Sequence, residues 1–569
     1  MAFIVKKKIH DKDYFYLNEN KRIDGKVKTK TLAYLGKTKK DAEKRMHEFL
    51  ENLDKQKSKE DMNKNVQKTY KIMKDLEKAE ISVEDLAAFC KRKGFVYQSG
   101  EIYGGLAGFW DFGPLGVEMK NNIKKEWWKF HVIERKDIVG IDGSIITSPK
   151  TWEASGHVDS FSDLFVICKK CKRPSKIDKN EVVRAKCDLC GGDYNLAAAK
   201  EFKLMFETTV GESGKAFLRP ETAQLIFTNF KAVYDNSRLK LPCGIAQIGK
   251  SFRNEIAPRD FLFRSREFEQ MEIEYFINSD EGSCPYKIPD AEILVYSREA
   301  QKKNTEPVKM KISEALKKGL IKKDWHAYWL ATEFLWFVGL GANPDNFRVR
   351  QHASEELSHY SSDTWDFEYK FPFGWKELEG IADRGNYDLS QHEKSSQKDL
   401  KIFDEKTKKK ILPSVICEPS LGVERAFLVF MFDSYFYDKE RENVVLKLHP
   451  KLSPIKAAIF PIVKTNEKIV KISDDIYNDL KKDFHVVYDE GGSVGRRYSR
   501  NDEIGTPFCI TIDGESLKNK DITIRDRDTK KQIRVKISNL KEILQKLINK
   551  EIKFEKAGKI FYNKIQENN

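Results

Sequence analysis

Two stretches of alternating polar and apolar residues, joined by a basic loop, stand out in the pattern of the chain. They lie within residues 246–276, AQIGKSFRNEIAPRDFLFRSREFEQMEIEYF. Alternation with a period of two predicts two strands, each with one polar face. On the first strand that face would carry Gln247, Gly249, Ser251, Arg253 and Glu255. On the second strand it would carry Phe268, Gln270, Glu272 and Glu274.

Antiparallel pairing of these strands would bring an arginine, several carboxylates and an aromatic ring onto one surface. The loop between the strands adds Arg259, Arg264 and Arg266. Guanidinium groups suit phosphate oxygens, and an aromatic ring offers a face on which a flat ligand can stack. The hairpin therefore predicts a site for a ligand with phosphates, a flat ring and an amino group.

The rest of the chain separates into regions of different patterning. Strand-like runs and a helical segment predict a small, basic, β-rich module over residues 1–50, and a charged helical tether follows over 51–80. Residues 81–450 would form the central domain. From 451 to 569 strands alternate with helical stretches and a hairpin follows, which predicts an α/β domain with a mostly parallel sheet.

Three charged residues outside the hairpin allow either a structural or a ligand-binding role. Glu221 follows Pro220 in the first turn of a predicted helix, where the helix dipole alone favours a carboxylate. Glu377 would share a strand face with Glu379, and a solvated edge strand would look similar. Arg425 lies in the first turn of an otherwise apolar helix, so its charge needs a partner, and a ligand phosphate would provide one.

Four of the nine cysteines form two CxxC pairs, Cys168 with Cys171 and Cys187 with Cys190. Four thiolates at this spacing predict a closed tetrahedral Zn²⁺ site. An open catalytic zinc would lack one protein ligand, so we expect a structural zinc in a small ribbon inserted at about residues 165–200. The other five cysteines are scattered, a usage typical of cytosolic proteins.

The formal net charge of +15 over 569 residues predicts a polyanionic partner, nucleic acid before membrane. General lysine enrichment without any partner is the alternative. Residues 1–80 carry about +8 of this charge, which suggests an auxiliary RNA contact or a solvated, lysine-rich cap. Near the carboxyl end, Arg496, Arg497 and Arg500 would suit RNA contacts or form a basic helix face.

Neither a signal peptide nor a membrane span is predicted. The apolar run at the start of the chain is too short for a signal peptide. The longest apolar run, residues 426–432, is far too short to cross a bilayer. We therefore expect a cytoplasmic protein with no membrane partner.

Several long motifs, in order, resemble those of class II aminoacyl-tRNA synthetases, and among these the dimeric glycyl-tRNA synthetases. Outside the hairpin they are EIYGGLAGFWDFGPLG, SGHVDSFSD, RPETAQ, ELEGIA and EPSLG. Class motif 1 is similar to DFGPLGVEMKNNIKKEWW, motif 2 to the hairpin, and motif 3 to residues 422–425. The resemblance covers residues 81–545, nearly everything except the front module.

The resemblance implies an antiparallel-sheet catalytic core with the zinc-ribbon insertion and a second insertion at about residues 280–340. It also implies a carboxyl-terminal α/β anticodon-binding domain and a homodimer. The expected activity is that of a glycine–tRNA ligase, which joins glycine to ATP as glycyl-adenylate and transfers it to the 3′ end of tRNA(Gly). Mg²⁺ and structural Zn²⁺ would assist, and no covalent enzyme intermediate is needed.

The resemblance also implies a role for each motif residue that would contact ATP. Arg253 and Arg425 would be the catalytic residues, with Arg253 on the α-phosphate. Arg264 and Arg425 would take the γ-phosphate, Glu255 the adenine edge, and Phe268 would stack on adenine. Glu377 would help to hold Mg²⁺ between the phosphates. The rest of the ATP site would comprise Asn254, Phe263, Ser265, Arg266, Glu267, Leu378, Gly422, Val423 and Glu424.

The ammonium group of glycine would be held by Glu221, Glu272 and Glu418, with Ser420 beside it. The pocket wall would be completed by Phe268, Glu269, Gln270, Met271, Pro419, Leu421 and Gly422. Alanine only adds a methyl group, so the pocket must exclude it by crowding. Lys176 stands where the family usually has an arginine; it keeps the charge but loses the bidentate fork.

Two other classes of protein would share part of this pattern. A class II ligase for histidine, threonine or proline would share this type of carboxyl-terminal domain, but RPETAQ and EPSLG argue against it. A non-catalytic relative, such as a polymerase accessory subunit or a regulatory tRNA-binding protein, would be expected to lose the motif arginines. Arg253, Arg264 and Arg425 are all present.

Overall fold

The computed structural model describes residues 2–9, 12–23, 26–36, 45, 81–177, 186–187, 189–280, 282–353, 356 and 363–561. The chain divides into two compact units, Met1–Asp75 and Leu76–Asn569. In the described ranges, no helix is both long enough and apolar enough to cross a membrane.

The first unit contains three antiparallel strands that pair in chain order: β1 (Ala2–Ile9), β2 (Lys12–Ile23) and β3 (Lys26–Gly36). Two register shifts interrupt the pairing of β2 with β3. These three strands lie within the range for which the strand-like runs predict a β-rich module. The predicted helix after β3 and the tether over 51–80 lie outside the described residues, apart from the helical Arg45.

The first half of the second unit leads to the hairpin predicted from the sequence. Its elements are α1 (Val83–Lys93), β4 (Val96–Gln98), β5 (Trp110–Phe112), α2 (Pro114–Trp128) with a π-helical turn (Lys129–Ile133), β6 (Ile138–Ile141), β7 (Ile146–Thr147), α3 (Pro149–Ala154), α4 (His157–Ser160), β8 (Ser162–Ile167), β9 (Pro174–Ile177), β10 (Lys200–Lys203), β11 (Glu207–Val210), β12 (Gly214–Leu218), α5 (Ala223–Asn236), β13 (Cys243–Phe252) and β14 (Glu267–Ile277).

The chain then continues through a second set of strands and the two most apolar helices. These elements are β15 (Glu292–Tyr296), α6 (Arg298–Lys302), β16 (Val308–Lys311), α7 (Ile312–Lys317), α8 (Asp324–Gly339), β17 (Phe347–Gln351), β18 (Asp363–Phe371), β19 (Gly374–Asp383), α9 (Tyr387–Ser396), β20 (Ile402–Asp404), β21 (Lys409–Ile411), β22 (Ser414–Gly422), α10 (Val423–Ser434), β23 (Tyr435–Asp438) and β24 (Asn443–Leu446).

The carboxyl-terminal part alternates strands and helices before a final antiparallel segment. It comprises β25 (Ala457–Pro461), α11 (Glu467–Leu480), β26 (Val486–Tyr488), α12 (Val494–Glu503), β27 (Phe508–Ile512), α13 (Gly514–Asn519), β28 (Asp521–Asp526), β29 (Gln532–Lys536), α14 (Leu540–Ile548) and β30 (Lys559–Phe561). Single 3₁₀ turns occupy Glu101–Tyr103, Leu196–Ala198, Phe261–Phe263, Pro344–Asn346, Ile537–Asn539 and Phe554–Lys556.

A nine-stranded sheet forms the centre of the second unit, in the order β16-β15-β17-β18-β19-β22-β14-β13-β6. Its pairings are antiparallel except for β15 with β17 and β13 with β6. Helix α8 is apolar on nearly all sides and packs against β19 and β22. A helix of that composition is stable only when it is buried, so α8 and α10 supply much of the core.

The stretch predicted as a second insertion, residues 280–340, is continuous with this sheet. Its strands β15 and β16 extend the sheet at one edge, and β15 runs parallel to β17. The predicted ribbon is a separate three-stranded sheet in the order β10-β8-β9, which packs around Val166, Ile177 and Tyr194.

The carboxyl-terminal sheet corrects one prediction. Its order is β26-β25-β27-β28-β29-β30, and β25 pairs parallel with both β26 and β27. The pairings of β27 with β28, β28 with β29 and β29 with β30 are antiparallel. The expected mostly parallel sheet is therefore wrong. Helices α11 and α12 connect the three strands that pair in parallel, whereas β28 and β29 form a hairpin and β27 and β30 pair with it antiparallel.

Candidate active site

The predicted hairpin forms at the centre of the large sheet. Strands β13 and β14 pair antiparallel with Ser251 opposite Phe268 and Gln247 opposite Glu272. On its other side β14 pairs with β22, which places Ser420 opposite Glu272. Strand β19 then pairs with β22. Segments far apart in the chain thus contribute side chains to one region around β14.

The carboxylate of Glu272 lies at the centre of a buried hydrogen-bond network. The hydroxyl group of Ser420 donates to its Oε1 at 2.7 Å, and the hydroxyl group of Thr222 donates to its Oε2. The amide group of Gln270 in turn donates to the oxygen of Ser420 at 3.2 Å. Burial and the charge of Glu221 raise the pKa of Glu272, while the two hydroxyl groups oppose this shift.

Glu221 lies next to this network at the start of α5. Its Oε2 is 3.3 Å from Nε2 of His157, and its Oε1 accepts a hydrogen bond from Gln224 at 3.1 Å. Burial alone would favour the neutral acid, but His157, Arg384 and Arg253 hold the pKa of Glu221 well below its ordinary value. These cationic partners therefore favour the ionised form of Glu221, whose side chain is 13% exposed.

A buried arginine supports the third acidic residue. Arg384 donates to Oε1 of Glu418 at 2.8 Å and binds both oxygens of Asp388 at 2.8 and 2.9 Å. Burial raises the pKa of Glu418 to about 8 although Arg384 opposes the shift. One guanidinium group thus holds two carboxylates from β22 and α9 in place.

The other end of β14 carries the cationic and aromatic groups. Nε of Arg253 donates to the carbonyl oxygen of Pro220 at 3.0 Å, and its guanidinium carbon lies 5.4 Å from the ring centre of Phe268. Arg425 lies 4.6 Å above the ring of Phe263 and 3.4 Å from the carboxylate of Glu377. Two guanidinium groups, an aromatic face and buried carboxylates are therefore arranged around one strand.

The chain is similar to known proteins over most of its length. The family described as the anticodon binding domain matches residues 456–547. The glycine–tRNA ligase of Thermobifida fusca is 43% identical over 491 residues, covering 81% of this chain and 97% of its own. Those of Borrelia hermsii and Bacillus anthracis are 42% and 43% identical over 470 and 500 residues, covering 81% and 82% of this chain and 96% and 99% of their own.

The chain belongs to the glycine–tRNA ligase family. The family expected from the motifs is thereby confirmed. An α/β architecture with a large, largely antiparallel sheet and a carboxyl-terminal anticodon-binding domain agrees with it.

Within this family member, the glycine-rich turn after β4 holds the hairpin loop. The backbone N–H of Arg266 donates to the carbonyl oxygen of Gly108 at 2.8 Å, and its guanidinium group donates to that of Ala107 at 2.9 Å. Gly108 has a φ of +78°, and a Cβ atom there would lie 2.7 Å from Pro258. Arg266 therefore positions the loop. Arg264, in the same loop, lies 3.6 Å from the carboxylate of Glu255.

Several predicted site residues point away from the network around Glu272. Glu269 pairs with Lys120 and Lys124 of α2, and Met271 is fully buried on that same face of β14. Glu424 accepts hydrogen bonds from Lys120 at 2.6 Å and from the backbone of Glu269 at 2.9 Å. Leu378, Leu421 and Val423 are also fully buried. These residues support the strands that carry the site.

The remaining predicted residues lie in the strands and loops around the site. The backbone N–H of Asn254 donates to the carbonyl oxygen of Leu204 at 2.7 Å, and Glu267 pairs with Lys250. The hydroxyl group of Ser265 donates to the carbonyl oxygen of Leu262 at 3.4 Å. Lys176 lies on β9 opposite Phe165, and its side chain is outside the described residues. Gly422 and Pro419 continue β22 beside β14 and β19.

The predicted shared face of Glu377 and Glu379 is wrong. A β-bulge between β18 and β19 pairs Glu377 with Glu368 but Glu379 with Phe367, so the simple alternation is broken here. The side chain of Glu377 is 53% exposed, whereas Glu379 is buried. Only Glu377 is accessible to a ligand from solvent.

Sequence reasoning missed three residues that complete the site: His157, Thr222 and Arg384. His157 and Thr222 lie within SGHVDSFSD and RPETAQ, but no periodicity distinguishes them from neighbouring polar residues. Arg384 follows the buried strand β19 directly. The signal used for Arg425, a charge beside a buried apolar run, could have identified it.

The four paired cysteines meet as predicted. Sγ of Cys168 lies 3.5 Å from that of Cys190, and Sγ of Cys171 lies 3.6 Å from that of Cys187. All four sulfur atoms lie within 4.8 Å of one another. A tetrahedral zinc with bonds of about 2.3 Å separates its sulfur ligands by about 3.8 Å, so the cluster suits this ion.

The three arginines suggested for RNA contact differ in their surroundings. Arg497 is buried and donates to the carbonyl oxygens of Pro461, Glu490 and Gly492. Arg500 pairs with Asp489. These two arginines stabilise the carboxyl-terminal domain. Arg496 is exposed, and the side chain of Arg500 is 42% exposed beside Asp489, so both keep an accessible side chain.

Proposed function

We propose that the chain activates glycine with ATP as glycyl-adenylate and then transfers the glycyl group to the terminal ribose of tRNA(Gly). The proposal rests on one observation: two kinds of group lie together at one face of β14. Arg253 and Phe268 suit a nucleotide, and the buried, hydroxyl-bound carboxylate of Glu272 suits an ammonium group. Glycine-dependent exchange of pyrophosphate into ATP tests the proposal directly.

The arginines would hold the phosphates of ATP. Arg253 would contact the α-phosphate, and Arg264 and Arg425 would contact the γ-phosphate. Phe268 would stack on adenine while Glu255 accepts from its amino group, and one oxygen of Glu255 is buried without a hydrogen bond among the described residues. Glu377, an exposed carboxylate beside Arg425, would hold Mg²⁺, which supplies charge neutralisation between phosphates.

Glu221, Glu272 and Glu418 would hold the ammonium group of glycine. The lowered pKa of Glu221 favours the carboxylate that an ammonium group needs, and Ser420 keeps Glu272 oriented through its 2.7 Å hydrogen bond. Strands β14 and β22 and helix α5 carry further buried side chains beside these carboxylates. A methyl group on the substrate would have to displace one of them, so alanine would be excluded by crowding rather than by weaker attraction.

Activation then needs no nucleophile from the protein. The carboxylate of glycine attacks the α-phosphorus, and the bond to pyrophosphate breaks. A ribose hydroxyl of tRNA later attacks the acyl carbon, AMP leaves with the electron pair of the broken C–O bond, and the hydroxyl proton is lost to solvent. The arginines lower both barriers by positioning the reactants and by stabilising charge that develops on phosphate oxygens.

The tRNA would contact the carboxyl-terminal domain as well as the catalytic core. The match of residues 456–547 to the anticodon binding domain family supports this part of the proposal. We also propose the division at about residue 450 and a homodimer, whose formation light scattering would test. The exposed apolar side chains of Val117, Ile145 and Ile146 are available for such an interface. Nine free cysteines support a reducing, cytoplasmic setting.

Zinc would hold the ribbon and, through it, part of the active site. Phe161 precedes β8 and lies 5.6 Å from the guanidinium carbon of Arg253, while Leu204 follows β10 and binds the backbone of Asn254. Replacing Cys171 by Ser should lower the zinc content from about one per chain to near zero. Glycine-driven exchange should fall roughly tenfold or more, because Arg253 and Asn254 lose their support.

Elemental analysis and exchange assays on the same preparation measure both effects. Cys284→Ser is the matched control, since Cys284 is a free, half-buried thiol outside the cluster. It should leave zinc content and exchange unchanged. A Cys171→Ser enzyme that keeps its zinc would contradict the assignment.

The front module would make an auxiliary contact with RNA. Deleting residues 1–75 removes one compact unit and most of the excess positive charge of the first 80 residues. The KM for tRNA should rise severalfold and its salt dependence should flatten, because fewer phosphate contacts release fewer counterions. Glycine-driven exchange, which needs no tRNA, is the control and should not change. Identical tRNA kinetics with and without the module would leave the solvated cap as the better interpretation.

A further inference from the structure

Glu274 is a buried acidic residue to which the proposed function gives no role. It follows Glu272 by two residues on the same face of β14, on the side away from Phe268. It is fully buried, and neither of its carboxylate oxygens accepts a hydrogen bond from any residue in the described ranges. An ionised carboxylate in this position would lack both water and donors to solvate its charge.

Three carboxyl groups meet at this point. One oxygen from each of Glu272, Glu274 and Glu418 lies within 4.8 Å of the other two, and all three residues are buried. Carboxylates that share such a site cannot all ionise near neutral pH. Burial and then the charge of Glu418 raise the pKa of Glu274 well above its ordinary value, although Arg384 opposes the shift.

The cations around the cluster already serve other acids. Arg384, which donates to Glu418, uses two further hydrogen bonds on Asp388. His157 lies against Glu221. The charged groups that face the cluster from the elements packed around it are Glu221, Asp388, Arg384, Arg253, His157 and Arg219. Arg219 is buried, interacts with the charge of Glu272 and donates to the carbonyl oxygens of Gly143 and Lys250. Five carboxyl groups thus share four cationic or potentially cationic side chains, and Glu274 is the carboxyl group that accepts no hydrogen bond from them.

We infer that Glu274 carries a proton while the glycine site is empty, and that the ammonium group of glycine releases this proton when it binds. The inference rests on the proposed function, which places the ammonium group beside Glu272 and Glu418. One positive charge enters as R–NH₃⁺ and one leaves to solvent as H⁺, so the charge of the buried cluster is unchanged. Glu274 is then a positioning residue. Its proton limits the repulsion among the three carboxyl groups while the pocket is empty.

The sign of the pH dependence follows from this exchange. The empty site binds one more proton than the occupied site, so glycine affinity falls as pH falls through the range in which the empty cluster takes up its proton. Below that range of pH the loss approaches tenfold per unit, and above it the affinity becomes constant. Free glycine keeps its ammonium group throughout, so the substrate itself contributes no such change.

The experiment is the KM for glycine in ATP–pyrophosphate exchange at saturating ATP, from about pH 8.5 to about pH 6.5. In the wild-type enzyme KM should rise about tenfold while kcat stays within about twofold. In Glu274→Gln, which has no titrating carboxyl group here, KM should change less than about twofold over that range. Glu274→Asp should restore the pH dependence, which a purely structural role would not require.

Glu379→Gln is the matched control. Glu379 is equally buried in the same sheet, and burial together with the charge of Glu333 raises its pKa, but it lies outside the cluster. This variant should keep the wild-type profile. Calorimetry on the wild-type enzyme measures the proton release without any variant. Glycine binding is measured in two buffers of different ionisation enthalpy, and release of about half to one proton per glycine is expected near pH 7.

Three results would overturn the inference: no proton release, a Glu274→Gln profile that matches the wild type, or a profile that shifts with Mn²⁺ concentration. The last would assign the three carboxylates to a divalent metal. Failure of the proposed function is a separate outcome, because then glycine would not drive exchange in the wild-type enzyme at any pH.

Discussion

Replacing Arg253 by Ala is expected to lower the kcat of glycine-driven ATP–pyrophosphate exchange by at least about a thousandfold. The guanidinium group is held by the carbonyl oxygen of Pro220 and lies against the ring of Phe268. Its cation is therefore fixed in place before the substrates arrive, which is the condition under which charge stabilisation of a transition state is strongest. Loss of the contact with Phe268 should also raise the KM for ATP.

Two variants show whether this loss reflects the position of the charge. Arg253→Lys keeps the charge but not the planar fork, so we expect it to recover only part of the rate. Arg238→Ala removes an exposed arginine after α5 and should behave as the wild type. An Arg253→Ala enzyme with more than about a tenth of the wild-type kcat would show that Arg253 does not contact the reacting phosphate.

Replacing Arg384 by Met is expected to have the second largest effect. The change leaves Glu418 and Asp388 without the cation that both bind in a buried position. Breaking a buried pair by removal of one partner costs about 3–5 kcal/mol. We therefore expect Tm to fall by roughly 10 °C, and the KM for glycine to rise at least about a hundredfold because Glu418 moves or takes up a proton.

Thermal denaturation and exchange kinetics below the transition separate these two effects. Arg527→Met is the matched control, since Arg527 is equally buried in the carboxyl-terminal domain and binds the carbonyl oxygens of Gly505 and Leu448. It should lower Tm while leaving the KM for glycine unchanged. A folded Arg384→Met enzyme with a normal KM would mean that Glu418 does not contact the substrate.

The hairpin at the centre of the site could be predicted because its pattern is local. Alternation over residues 246–276 specifies which side chains share a face, and antiparallel pairing with Ser251 opposite Phe268 follows from that pattern. The cysteine cluster could be predicted for the same reason, because two CxxC pairs restrict the possible geometry of four thiols. The motif resemblance then supplied roles that the pattern alone does not contain.

Other features depend on contacts between distant segments, which a single sequence does not specify. Nothing local shows that Arg384 reaches Glu418, or that Thr222 reaches Glu272. The bulge that separates Glu377 from Glu379 arises in pairing with β18 and breaks the expected alternation. Likewise, the sequence around Arg497 suits an RNA contact, whereas the side chain binds a carbonyl oxygen 36 residues earlier in the chain. Long-range contacts and the β-bulge therefore limited the prediction, whereas unbroken local periodicity did not.

Amino acid-dependent exchange of labelled pyrophosphate into ATP by the wild-type enzyme tests the central claim most directly. Glycine should drive the exchange, and alanine and serine at the same concentration should drive it at least about a hundredfold less, because the proposed pocket beside the buried Glu272 would exclude a side chain by crowding. Transfer of the activated glycine to tRNA(Gly) should follow. Exchange driven by another amino acid in place of glycine, or by none, would contradict the proposed function.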